Sequence, residues 1–218
     1  MTTNGGYYES EDVDWYGGGE PYLKNTNSFS VTAELAFFAE DLNKKVWAYG
    51  DSYFNYWQND KWPYHILSYG FENWLESNLS GGNSTTLLPS AMNDLNCGKP
   101  GYLVWALGMN DASDADQNTP APSWLSSVET LISKCSEKGI ALVLCTIPTV
   151  PDRYHEGKNK YVRESGYRYI DFANAVGAQS DGTWYDGALG GDGIHPTVLG
   201  GKMLANRVLI DFPEITNK

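Results

Sequence analysis

The chain has 218 residues, enough for one domain with a sizeable core, and 41% hydrophobic against 19% charged residues marks a folded globular protein rather than a disordered one. A net charge of -12 with no basic run argues against nucleic acid as a partner and makes an anionic membrane surface unattractive. The apolar runs are strand-length, so none reads as a bilayer span; the polar, acidic start does not read as a secretory signal, and if the protein is secreted its signal lies outside this sequence.

Residues 1–21 mix Gly, Asp, Glu and Tyr without periodicity and read as a loose segment. Residues 29–37, FSVTAELAF, alternate apolar and polar in the period of a half-buried strand. Residues 1–44 are thus an N-terminal extension with β-structure, and 45–218 the main domain. In that domain KKVWAYGD (44–51) predicts a buried strand, KWPYHILSYG (61–70) a short helix ended by Gly70, and NWLESNL (73–79) a strand. NSTTLLPSAMNDL (83–95) opens with Asn and Ser, good N-cap residues, and predicts a helix despite Pro89. GYLVWALG (101–108) is a strongly apolar strand. APSWLSSVETLISKCSEKG (121–139) is an amphipathic helix with Pro122 in its first turn and Gly139 at its C-cap. IALVLCTIP (140–148) is another buried strand, NKYVRESG (159–166) a short helix, YRYIDF (167–172) a strand, and 196–210 a final helix starting at Pro196.

Near-continuous apolar strands alternating with helices predict an α/β fold, a three-layer α/β/α sandwich around a central parallel sheet of about five strands. Three cysteines, an odd count, do not read as a disulfide scaffold. Cys145 suits a buried strand, and a Cys97–Cys135 bridge stays open. No Cys-x-x-Cys or His/Cys cluster announces a structural zinc. Eight Trp and fifteen Tyr, flanked by Asn, Asp and Arg, point weakly toward sugar rings.

Ligands of such sheets gather outside the carboxyl ends of the strands. Those turns read Gly50-Asp51-Ser52, Ser80-Gly81-Gly82-Asn83-Ser84, Gly108-Met109-Asn110-Asp111, and the late loop through Asp192 and His195. A serine hydroxyl becomes a nucleophile when a base takes its proton, and an imidazole oriented by a carboxylate suits that task. Backbone N–H groups at Ser52 and in the Gly81-Gly82 turn, with the Asn110 amide, would serve an oxyanion.

The blocks AYGDSYF, SGGNSTTLL, ALGMNDA and DGIHP, in that order over roughly residues 45–212, resemble the four blocks of the SGNH/GDSL hydrolase family. The resemblance implies a flavodoxin-like sheet. It assigns Ser52, Asp192 and His195 to a catalytic triad, and Ser52, Gly81 and Asn110 to an oxyanion hole. No metal or organic cofactor is implied. It implies ester hydrolysis, and removal of O-acetyl groups from a carbohydrate is the reading adopted. The alternatives are a lipid or thioester hydrolase, a carbohydrate-binding or attachment module with a vestigial triad, and a flavodoxin-like nucleotide binder. Low lysine and high aromatic content lean toward an extracellular glycan degrader.

The chain departs from the family twice. Tyr53, Phe54, Tyr56 and Trp57 follow the serine where small residues are usual, suggesting an aromatic-lined pocket mouth, and Gly82 competes with Gly81 as donor. Asp111 reads as a residue bonding loop backbone, and His65 as a packed histidine. His155 reads as surface decoration or, with Arg153, as a substrate contact. Trp184 and Tyr185 read as a sugar-stacking wall or as packing.

Overall fold

The computed structural model describes residues 13–16, 20–23, 46–54, 58–66 and 74–216. The strand expected at 29–37, the helix stop at Gly70, and Tyr56 and Trp57 lie outside the described residues. Within the N-terminal extension, β1 (Val13–Tyr16) and β2 (Glu20–Leu23) pair antiparallel, where the sequence reads as loose.

Five parallel strands form the main sheet: β3 (Val46–Gly50), β4 (Trp74–Asn78), β5 (Tyr102–Ala106), β6 (Ala141–Cys145) and β7 (Arg168–Ile170), in the spatial order β4-β3-β5-β6-β7. Every residue of β3 is buried, as expected for a central strand covered on both faces. The helices are α1 (Trp62–Ile66), α2 (Ser84–Cys97), α3 (Pro122–Lys138), α4 (Glu156–Glu164), α5 (Phe172–Ala175) and α6 (Val198–Asp211).

Local chemistry explains the helix ends. Asn83 caps α2 by accepting from Thr86 N–H at 3.0 Å, while the Thr86 hydroxyl accepts from Asn83 N–H at 2.9 Å. Pro89 is tolerated within α2 because Leu87, Ala91 and Leu95 still anchor one face in the core. Trp124, Val128, Leu131 and Cys135 form the buried stripe of α3, and Gly139 ends it in the left-handed conformation. The last helix starts at Val198, two residues later than expected, with Thr197 rather than Pro196 at the cap. Cys97, Cys135 and Cys145 are all free thiols, which closes the Cys97–Cys135 question, and burial pushes the Cys145 thiol well above its ordinary range.

The strand order reverses between β3 and β5, because the chain leaves β3 for β4 on one side and returns for β5 on the other. That switch point opens a crevice at the carboxyl ends of these strands. Ser52 follows β3 and Asn110 follows β5, so both stand at its mouth.

Candidate active site

Ser52 begins a single 3-10 turn, Ser52–Phe54, directly after β3. The Asp51 carboxylate accepts from Tyr53 N–H at 3.0 Å, and Phe54 N–H donates to Asp51 C=O at 2.9 Å. Phe54 is fully buried and meets Trp62 edge to face at 4.7 Å; Trp62 in turn lies 5.6 Å from Phe172. The aromatics described after the serine therefore point inward and hold the turn. Tyr53 and Phe54, with Trp62, line the small cavity beside this turn, while Tyr56 and Trp57 lie outside the described residues. Asp51 is itself buried beside a small, mainly apolar cavity of about 30 Å³, and burial raises its carboxyl to about 7.

Asp192 and His195 sit in one tight turn before α6. Gly193 takes φ +71, a left-handed backbone conformation that favours glycine. One Asp192 oxygen accepts from the N–H groups of Ile194 and His195, both at 2.9 Å. The other lies 2.7 Å from His195 Nδ1. These bonds, the Ile194 N–H foremost, hold the Asp192 carboxyl well below the usual carboxylate range, so it stays ionised. His195 Nε2 lies 2.9 Å from Ser52 Oγ. The Asp192–His195–Ser52 chain is thus continuous in the structure. The Tyr53 hydroxyl donates to Ile194 C=O, tying the residue after Ser52 to the turn that carries His195.

The two neighbouring turns stand beside this chain. Gly82 N–H donates to Leu79 C=O at 2.7 Å and is spent in its turn, whereas no hydrogen bond among the described residues engages the N–H of Gly81 or of Ser52. Asn110 donates from Nδ2 to Gly82 C=O at 3.0 Å; an amide nitrogen carries two hydrogens, so one remains. Asp111 accepts from both the N–H and the hydroxyl of Ser84, binding the β5 turn to the start of α2.

The remaining candidates separate. Arg153 Nη1 donates to Asn110 Oδ1 at 3.0 Å and to Met109 C=O at 3.2 Å. His155 is neither surface decoration nor a substrate contact: it is fully buried, its Nδ1 3.3 Å from Lys158 Nζ. Burial first, then the charges of Lys158 and Arg153, push its imidazole down to about 3, so the ring is neutral. Trp184 is half-buried and donates its indole N–H to Thr149 C=O at 2.8 Å, which is packing. Tyr185 is exposed, and its ring covers Gly177. His65 has its imidazole lowered by burial, as a packed histidine should.

One feature has no sequence signal. Lys158 and Asp114 form a fully buried ion pair at 2.7 Å. Lys158 Nζ also donates to Ala112 C=O at 2.6 Å, and Asp114 accepts from Ala121 and Lys158 N–H groups at 2.8 Å. Read along the chain, both are polar residues of loop-like stretches.

No protein-family model matches the chain, and none of the curated proteins does. Solved structures do. A lipolytic protein assigned to the G-D-S-L family, from Desulfitobacterium hafniense, superposes with a TM-score of 0.61 at 19% identity, over 76% of this chain and 98% of its own. A protein assigned as an acylhydrolase, from Bacteroides fragilis, gives 0.62 at 15% identity, over 88% and 100%. The esterase EstA from Pseudoalteromonas sp. gives 0.58 at 15% identity, over 80% and 100%. At such identities the shared property is the fold, and the fold is that of the SGNH/GDSL hydrolases.

Proposed function

We propose that this chain, which has the fold of the SGNH/GDSL hydrolases, is a serine ester hydrolase that removes O-acetyl groups from a carbohydrate. The observation that carries the reading is the unbroken chain from Asp192 through His195 to Ser52, with contacts of 2.7 and 2.9 Å. Ser52 Oγ attacks the ester carbonyl as His195 Nε2 takes its proton. The ionised Asp192 holds the imidazole by Nδ1 and stabilises the imidazolium. The oxyanion receives the Ser52 N–H, the Gly81 N–H and the spare Asn110 hydrogen. The free N–H of Gly81, against the spent one of Gly82, supports Gly81 as the donor. His195 then protonates the departing alcohol, leaving an acyl-enzyme. A water molecule, deprotonated by His195, attacks that ester and releases the acid and Ser52.

One feature supports a bulky polar alcohol. The Asp192 and His195 side chains are 52% and 34% exposed, so the alcohol side of the site is open.

The test is hydrolysis of p-nitrophenyl acetate and butyrate by the native protein beside Ser52→Ala. Acetate should turn over faster than butyrate, and Ser52→Ala should lose roughly 10⁴-fold or more in kcat. Faster turnover of butyrate would favour a lipid or thioester substrate. Equal rates for native protein and Ser52→Ala would overturn the hydrolase reading and favour a binding module.

A further inference from the structure

We infer that Arg153 is a positioning residue: it fixes the Asn110 side-chain amide so that an N–H, and not the carbonyl, faces the oxyanion. The inference rests on the hydrolase reading above.

An asparagine amide presents nearly the same shape both ways round, yet its two ends have opposite chemistry. Only the nitrogen end can stabilise a negative oxygen. Asn110 stands between two neighbours that are each chemically one-sided. Arg153 can only donate. Its Nη1 lies 3.0 Å from Asn110 Oδ1. The Gly82 carbonyl can only accept, and it lies 3.0 Å from Asn110 Nδ2. A flipped amide would set donor against donor on one side and acceptor against acceptor on the other. The same Nη1 bonds Met109 C=O at 3.2 Å, so it grips the backbone just before the amide it orients. The contact to Asn110 also places a full positive charge behind the amide, which polarises the N–H that remains for the oxyanion.

The chain is shaped to deliver this guanidinium. Val150 and Arg153 exchange backbone hydrogen bonds of 3.0 and 3.3 Å, closing a four-residue turn over Pro151 and Asp152. Asp152 takes φ +65 at the position where such turns favour glycine, and it is the sole non-glycine with positive φ among the described residues. Such strain persists where the surroundings over-determine it, and here they do. The backbone of Gly182 backs the turn so closely that an added Cβ would stand 2.3 Å from Pro151 N.

The experiment is a double-mutant cycle with p-nitrophenyl acetate, comparing native protein, Asn110→Ala, Arg153→Ala and the double variant, with Arg153→Lys as the conservative change. The rate of phosphonylation of Ser52 by a small organophosphonate gives a second readout. Arg153→Ala should lower kcat about tenfold with KM nearly unchanged, and slow phosphonylation in parallel. Arg153→Lys, which keeps a donor and a charge, should recover most of the loss. In the Asn110→Ala background, Arg153→Ala should change kcat by less than about twofold, because nothing is left to orient. An equal loss in both backgrounds, or a loss confined to KM, would mean that Arg153 contacts substrate directly, and would overturn the inference alone. If Arg153→Ala does not fold, Arg153→Lys and Arg153→Gln carry the same cycle. Native protein that neither hydrolyses the ester nor labels at Ser52 would overturn the hydrolase reading, and this inference with it.

Discussion

Tyr53 shows how much one hydroxyl can decide. Its ring is buried, and its O–H reaches Ile194 C=O inside the turn that carries His195. Burial, then the carboxylates of Asp51 and Asp192, push its phenol well above the ordinary value, so it remains a donor across the working range. Tyr53→Phe keeps the packing and removes the tie. We expect kcat to fall about tenfold with little change in KM, and stability to fall by about 1 kcal/mol from the carbonyl left without its partner. Unchanged kcat would mean that the triad turn holds itself without Tyr53. The sequence marks Tyr53 as unusual after the serine, but not which way it points. A side chain's direction depends on the turn that bears it, here the 3-10 turn Ser52–Phe54.

At the scale of elements, the turns after β5 and β6 form one body. Lys158 at the start of α4 reaches across to Asp114 and Ala112, and Asn159 brackets Ile147, accepting its N–H at 2.7 Å and donating to its C=O at 2.8 Å. The loops bearing Asn110 and Arg153 are thus joined by buried polar bonds rather than by apolar contact alone. Removing one partner of a buried ion pair leaves the other charge without compensation. Asp114→Asn should therefore cost about 3–5 kcal/mol in urea unfolding, and Asp114→Asn combined with Lys158→Met should cost less than the two single losses added. A loss below about 1 kcal/mol for Asp114→Asn would show that water already reaches the pair. The strands and the first three site blocks were legible in the sequence because each of those blocks directly follows a strand, whereas Asp192 and His195 come well after β7 and were marked by their own Asp-Gly-Ile-His-Pro pattern. The Lys158–Asp114 pair and the burial of His155 were not legible, because they arise where two loops distant in the chain meet, and both stretches look solvated when read alone.

At the scale of the whole molecule, a single buried acid should imprint itself on pH stability. The Asp51 carboxyl is raised to about 7 by burial, against 3.8 for the free side chain. Between those values the folded protein keeps a proton that the unfolded chain releases, so stability falls as pH rises through the window and levels off above it. Asp51→Asn can still accept from Tyr53 N–H but does not titrate. Across roughly three pH units, its stability relative to the native protein should rise by at most about 4 kcal/mol, read as urea midpoints at a series of pH values. A difference independent of pH would show Asp51 ionised throughout.

The Asp192–His195 pair lies on one short turn, while Ser52, whose hydroxyl it meets, lies 143 residues away in the chain. Asp192 and His195 are three residues apart and cannot part company unless that turn unfolds. The joint that can open is the one between the turn and Ser52, and Tyr53 to Ile194 is the clasp across it. A partial opening that lifts the turn would leave an intact carboxylate–imidazole pair facing solvent and a serine reduced to an ordinary alcohol. Such an opening would be local, and would cost less free energy than global unfolding.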